Sequence, residues 1–430
     1  MTRFGLAGNH LPTGWQTTSA RHLFRREKRT GFPDEQLLSV YRDYGVIRKD
    51  SRDDNFNKAS EDLASYQLVE PNDLVINKMK AWQGSVGISE HRGIVSPAYF
   101  VAKPTTNFFR RYVHYLLRCS DYLIEYQTRS SGIRVNQWDL DWDDFRDIPI
   151  ALPPLAQQTR IANFLDEQTA RIDALIAEKE RLDALLGEYR GSLISAAVTG
   201  QVDLTTGEAL RRVHKGDCKV GGWPITRLRY VADLNPSVRT DLLQALDTEV
   251  SFLPMEAIGE NGSLSLDRTR PVAEVRNGYS YFENGDIAFA KVTPCFENGK
   301  GALMRGLEHA AGFGTTELTV LRPKLDANPN FLNYVLQSSR FRQLGAAAMT
   351  GAGGLKRVPD EFTKDFKTAW PVPEDQSRIA NFLDERTAQI DGLRSHCREH
   401  IALLREYRSS LISAAVTGQL DIDNFKKGVA

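Results

Sequence analysis

The chain has 430 residues, 41% hydrophobic and 26% charged, a composition ordinary for a folded globular protein and long enough for two or three domains. Its 55 basic residues balance 55 acidic ones, which excludes a wholesale polycation and a disordered acidic chain but leaves room for local charge. No apolar run reaches the roughly 18 residues of a membrane span, no secretory signal opens the chain, and Cys119, Cys218, Cys295 and Cys397 stand far apart, so the expectation is a cytoplasmic protein with no membrane partner, disulfide scaffold or zinc site.

Residues 1–152 read as a globular domain opening on Leu11-Pro-Thr-Gly-Trp15. A basic cluster lies at 21–29, β-rich runs at 73–76 and 99–102, and a helical pattern at 108–127. The aspartate-rich run 138–145 is predicted to enter a helix, where acids favour the positive end. Residues 153–204 follow Pro153 and Pro154 and run without proline to Thr199-Gly200, which predicts one long helix with a glycine C-cap. Residues 205–370 repeat the globular plan, with β-rich runs at 286–290 and 317–321, a helical pattern at 329–344, and a turn at Asn235-Pro236. Residues 371–422 form the second long helix, and 423–430 a short frayed tail.

A repeat organises these elements. Residues 151–204 and 369–422 align without a gap at an offset of 218, with 33 of 54 positions identical. The globular parts match only faintly, as in Glu70-Pro-Asn-Asp73 against Glu283-Asn-Gly-Asp286 and Tyr112-Val-His-Tyr115 against Phe331-Leu-Asn-Tyr334. One pair of segments was free to diverge and the other was not. Ile161, Leu165, Ile172, Leu175, Leu182 and Leu186 fall on heptad spacing, as do Ile379, Leu383, Ile390, Leu393, Leu404 and Leu411. Cys397 and His400 weaken the second seam. A generic amphipathic helix on a core is the plainer alternative. Length and duplication favour two rods of about 60 Å pairing antiparallel about a pseudo-twofold axis.

Charge divides along the same lines. Residues 1–150 and 205–368 each hold 21 basic and 19 acidic residues, whereas the helical segments are net acidic. Bases and amides cluster with an aromatic at Lys78, Lys80, Trp82 and Gln83, and again at Arg129, Arg134 and Gln137. The second half offers Lys291, Thr293, Lys300, Lys356 and Arg357, the last two after the glycine-rich 350–354. Lys and Arg neutralise phosphate, Arg, Gln and Asn read base edges, and glycine admits close backbone approach. Any one cluster alone reads as a solvated face, and recurrence at matching places in both halves strengthens the case for a nucleic-acid contact.

Catalytic motifs are missing. Asn298-Gly-Lys-Gly301 lacks the first glycine and the hydroxyl of a phosphate loop. Gly351-Ala-Gly353-Gly354 is not placed as a dinucleotide loop, and Asn235-Pro-Ser-Val lacks the aromatic that stacks a flipped base. His396, Cys397 and His400 lack a further metal ligand, and Glu283, Asp286 and Lys291 evoke nuclease carboxylates at poor spacing. No catalytic or metal residue is assigned.

Residues 153–166, Pro-Pro-Leu-Ala-Gln-Gln-Thr-Arg-Ile-Ala-Asn-Phe-Leu-Asp, and the second copy's 411–419, Leu-Ile-Ser-Ala-Ala-Val-Thr-Gly-Gln, resemble the central and distal repeats of type I restriction-modification DNA specificity subunits. The layout of variable domain, helix, variable domain, helix matches along the whole chain. The resemblance implies an α+β fold with two globular target-recognition domains on small sheets, separated by two long antiparallel coiled-coil helices. It implies a non-catalytic subunit whose domains each read half of a bipartite, asymmetric double-stranded DNA site, with the helices setting the spacer. Two methyltransferase subunits and restriction subunits are the implied partners. S-adenosylmethionine, ATP and magnesium belong to those partners, and this chain itself is expected to hold no cofactor. A self-contained DNA-modifying enzyme and a coiled-coil scaffold that binds no DNA are the competing readings.

Overall fold

The computed structural model describes residues 11–425 except 43, 52–59, 61, 135–136, 206–218, 221, 261 and 353. The chain divides into two compact units, Met1–Lys179 with Glu399–Ala430, and Glu180–Arg398. Each unit combines one globular segment with part of each long helix.

In the first unit four antiparallel strands run in the order Phe24–Arg26, Tyr99–Pro104, Leu74–Asn77, Val86–Ile88. Leu74–Asn77 is buried along its whole length, because both faces of the sheet are covered. That is why the β-rich runs show no polar–apolar alternation. The segment predicted as one helix over 108–127 is two, Arg110–Leu116 and Ser120–Arg129, broken where Cys119 turns extended (φ −71°, ψ 163°). The aspartate-rich run contributes only the short helix Trp142–Phe145, its start already taken by the strand Gln137–Asp139.

The second unit repeats the sheet as Ala232–Leu234, Leu318–Pro323, Ile287–Ala290, Gly301–Leu303. Its helical segment is likewise split, into Pro329–Gln337 and Ser339–Ala348, with the Ser338 hydroxyl accepting the Phe341 amide at 3.4 Å. It adds a further four-stranded sheet in the order Thr269–Pro271, Glu249–Leu253, Ala311–Gly314, Ser280–Glu283. The predicted turn at Asn235 is present, with φ at 50°, and its side-chain oxygen accepts the Val320 amide at 3.0 Å.

The long helices are Leu155–Val198 and Pro373–Val416, 44 residues each, closed by Gly200 and Gly418 at φ 67° and 76°. These positive φ values are why glycine ends both repeats. Within the first unit the start of one helix lies against the end of the other, with Arg408 holding Asp173 at 2.8 Å. Within the second unit Arg394 holds Asp183 at 2.9 Å and Arg190 holds Asp391 at 3.1 Å, again antiparallel. Burial along the first helix steps by four and three through Gln158, Ala162, Leu165, Thr169 and Ile172, then continues to the partly buried Ile176. At an offset of 218 it passes through Gln376, Ala380, Leu383, Thr387 and Ile390, and on to Cys397 and Ile401. Ile161, Ile379 and Leu411 are buried, and Leu175, Leu186 and Leu404 are partly buried.

Two residues placed on the seam by sequence lie off it: Leu182 is 41% exposed and Leu393 54% exposed. The seam there takes Asp183 and Arg394 instead, so an apolar heptad search selects the flanking leucines. Cys397 is buried, whereas His396 and His400 are exposed. The tail also departs from expectation as far as Phe425, whose ring packs on Phe164 at 5.0 Å, while Asp423 pairs with Arg160 at 3.2 Å.

Paired anchors explain the repeat. Gln158 accepts the Phe109 amide at 2.8 Å and donates to the Pro153 carbonyl at 2.9 Å. Gln376 accepts the Asn328 amide at 2.8 Å and donates to the Pro371 carbonyl at 2.8 Å. Tyr115 donates to Asp166 at 2.8 Å and Tyr334 to Asp384 at 2.7 Å. The end of the opposite helix supplies the other anchor, Ser413 to Ser120 at 2.7 Å in the first unit and Ser195 to Ser339 at 2.7 Å in the second. Each helix thus grips one globular segment near its start and the other near its end, which constrains both copies alike.

Candidate nucleic-acid interface

In each unit the central strand carries its chain out of the buried sheet into a loop bearing the basic residues. In the first, Leu74–Asn77 leads directly into a single 3-10 stretch, Lys78–Gln83. Gly84 ends it at φ 95°, a conformation open to glycine at little cost. The hairpin Ser131–Arg134/Gln137–Asp139 lies alongside: the Leu140 amide donates to the Lys78 carbonyl at 3.0 Å, and the Trp82 and Trp138 rings meet edge-on at 5.1 Å. Lys78 faces Asp139 at 3.7 Å, while Lys80 and Gln83 are exposed.

One residue singled out by sequence differs from this picture, and two have side chains outside the described residues. Arg129 is turned inward, pairing with Glu125, which is 2% exposed, so it braces its helix rather than facing solvent as a free cation. Arg134 and Gln137 are placed by their backbone in the hairpin, and their side chains lie outside the described residues.

The second unit builds the same arrangement with other contacts. After Ile287–Ala290 the chain enters the loop 291–300. The hairpin Thr350–Ala352/Leu355–Arg357 lies beside it, the Val358 amide donating to the Lys291 carbonyl at 2.8 Å. Thr293 joins loop to hairpin: its hydroxyl donates to the Gly354 carbonyl at 3.0 Å and accepts the Lys356 amide at 3.0 Å. Lys356 and Arg357 are exposed, and Gly353 between the strands is outside the described residues. Arg357 holds Glu317 through two bonds, 2.8 and 2.6 Å, and this guanidinium draws the Glu317 carboxyl below its ordinary pKa. Lys300 is spent on the Met255 carbonyl at 3.1 Å.

Arg342, which the sequence gave no reason to select, supports this loop from beneath. It donates to the carbonyls of Phe296, Gly299 and Leu336 at 2.7, 2.9 and 3.2 Å. Burial alone lowers its pKa to about 10. In the first unit Leu123 lies beneath the corresponding Gly84.

The groups that suggested other chemistry have structural partners. Asp286 is 2% exposed, accepts the Glu283 amide at 2.8 Å and binds Arg322 through both oxygens. Asp73, Glu70 and Arg29 repeat the device in the first unit, where Asp73 accepts the Glu70 amide at 2.8 Å. The cluster at 21–29 is therefore split, with Arg29 inside this network and Arg21 paired with Asp147. Among the described residues no group of three or more His, Cys, Asp or Glu is arranged to hold a metal, and no helix is long and apolar enough to cross a membrane. What both units expose is a basic loop against a hairpin on a rigid sheet. Such a surface offers hydrogen-bond donors to phosphates and base edges.

Comparison with known proteins agrees with this layout. Residues 12–183 match the family profile of the type I restriction modification DNA specificity domain. The chain is 40% identical over 161 residues to the type I restriction enzyme EcoAI specificity subunit of Escherichia coli, a match covering 37% of this chain and 27% of that protein. The similarity to the EcoEI specificity subunit of Escherichia coli is equally local, 38% over 175 residues and 29% of that protein. With the StySPI specificity subunit of Salmonella potsdam it is 24% identical over 439 residues, spanning 95% of this chain and 90% of the relative. A solved chain from work on complex assembly and conformational transition of the type I R-M system shares the fold at TM-score 0.63 and 15% identity, covering 96% of this chain and all of that one. The duplicated repeat, the two loop-and-hairpin surfaces and these similarities agree: residues 12–183 carry the profile of the type I restriction modification DNA specificity domain, and the chain along its length is similar to type I restriction enzyme specificity subunits.

Proposed function

We propose that each globular segment reads one half of a bipartite, asymmetric DNA site and that the two long helices set the unread spacer between the halves. The chain is a non-catalytic subunit in this reading. Two methyltransferase subunits and the restriction subunits dock on it and carry the S-adenosylmethionine, ATP and magnesium chemistry. The observation that carries the reading is the pairing of near-identical anchors with diverged exposed tips. Gln158 and Gln376 make the same bonds, while the hairpins above them differ in sequence and in the contacts that hold them. A protein that reads two different sequences with one frame needs this combination.

Lys78, Lys80, Lys291 and Lys356 supply phosphate contacts, and the hairpins supply base contacts. With 55 charges of each sign the isolated chain has only local basic surfaces, and no overall positive field, to attract DNA. Binding therefore strengthens when a partner encloses the duplex. The test is co-expression with a type I methyltransferase subunit that forms a complex with this chain, followed by mapping of modified adenines across the host DNA. A split motif with a fixed spacer, absent when this chain is omitted, is the expected result. Modification without a split motif contradicts two separate readers, and a stable complex without modification favours the scaffold reading.

A further inference from the structure

The bases of the two hairpins can be matched from their hydrogen bonds, Asp139 pairing with Ser131 as Arg357 pairs with Thr350. Lys78 and Lys291 each follow the central strand, and their carbonyls accept from Leu140 and Val358 respectively. Leu140 and Val358 are buried, 0% and 3% exposed, so they are the same structural position. One residue earlier, at the base of each hairpin and open to solvent, stand Asp139 and Arg357. The first side chain is only an acceptor at neutral pH, the second only a donor.

Each is held by an opposite charge from its own frame. Lys78 faces Asp139 at 3.7 Å, beyond a direct hydrogen bond. Glu317 takes Arg357 by Nε and Nη2, at 2.8 and 2.6 Å. That occupies one edge of the guanidinium and fixes its plane. No bond to Nη1 is present among the described residues, so the Nη1–Nη2 edge is left for a ligand. That edge matches two acceptors side by side, as guanine O6 and N7 are in the major groove.

Phosphate is a poor partner for this position. Arginine suits it, but aspartate at the equivalent site would be repelled. Only base edges present acceptors in one sequence and donors in another. We propose that this hairpin position determines specificity in both half-sites with opposite hydrogen-bond sign: Arg357 reads a guanine in one, and Asp139 reads an exocyclic amino group, of cytosine or adenine, in the other. Glu317 is a positioning residue that orients Arg357. The inference rests on the two-reader function proposed above.

The experiment maps modified adenines in cells expressing the methyltransferase with Arg357→Lys, Arg357→Gln, Glu317→Gln or Asp139→Asn, beside the unchanged chain. Arg357→Lys keeps the charge and loses the paired donors. It should relax one guanine of one half-site by about tenfold, leaving the other half-site as it was. Glu317→Gln should relax the same base. Asp139→Asn should alter one position of the opposite half-site, and whether that base pair is C·G or A·T identifies the amino group. Thermal unfolding of each variant checks that the fold is kept. An unchanged motif in folded Arg357 variants, or a uniform loss at all sites as for a phosphate contact, overturns the assignment. If the unchanged chain gives no split motif, the two-reader function fails instead.

Discussion

Along the long helices the two halves of this chain are nearly interchangeable, and at the tips of the globular segments they are not. Gln158 and Gln376 each accept a backbone amide at 2.8 Å, and Tyr115 and Tyr334 reach their aspartates within 0.1 Å of each other. At the tips, Trp138 packs on Trp82 where the second unit uses the Thr293 hydroxyl, and Leu123 lies beneath the loop where the second unit uses Arg342. Bonds to a shared frame tolerate little change, because a buried amide left unpaired costs the fold directly. Loops held from beneath tolerate much, provided the support changes with them. Divergence is thus concentrated in the globular segments, away from the shared anchors.

The largest expected effect breaks the frame. Replacing Gln158 or Gln376 by leucine strands an amide and a carbonyl, and each variant should lose about 3 kcal/mol in denaturant unfolding. The comparison predicts similar losses for both, and a null effect for one with a full effect for the other would break the equivalence. Next comes the support of the second loop. Arg342→Met leaves three carbonyls without their donor, for a loss of about 2–3 kcal/mol. In a modification map it should weaken recognition of one half-site and spare the other.

The smallest effect separates the units by pH. Burial, with the nearby Arg118 guanidinium, lowers the His114 pKa to about 3, whereas the corresponding residue in the second half is Asn333. The folded imidazole stays neutral while the unfolded one protonates near 6.5. Its contribution is therefore intact above about pH 6.5 and falls as the pH drops toward 3. About 2 kcal/mol should be lost between pH 7 and 5. His114→Asn should flatten that part of the profile, which unfolding at several pH values would show. An unchanged slope would mean the imidazole is solvated.

The legible part of the molecule was the part under repetition. The helix ends at Gly200 and Gly418, the four β-rich runs and the correspondence of Lys78 with Lys291, each five residues after Asp73 or Asp286, all follow from the sequence, because proline, glycine and apolar runs carry local physical meaning. Apolar spacing puts the central seam one position away from where it lies. It runs through Asp183 and Arg394, and ion pairs across a coil are invisible to a search for leucines. Arg129 stands in a run of bases and amides that suggests an exposed cation, yet it is committed to Glu125, a contact four residues away on the same helix that its spacing alone allows. Arg342 could not be found at all, since a cation satisfied by carbonyls of distant residues leaves no motif. Asp139 read as part of a helix entry because nothing local shows that Lys78 lies opposite it.

The most direct test of two independent readers on a shared frame changes the frame and leaves the readers alone. Matched insertions of four residues, about one helical turn each, after Glu178 and after His396 lengthen both helices at equivalent points. Mapping of modified adenines should then return both half-sites unchanged with a longer unread spacer. Altered half-sites with the original spacer would contradict the account.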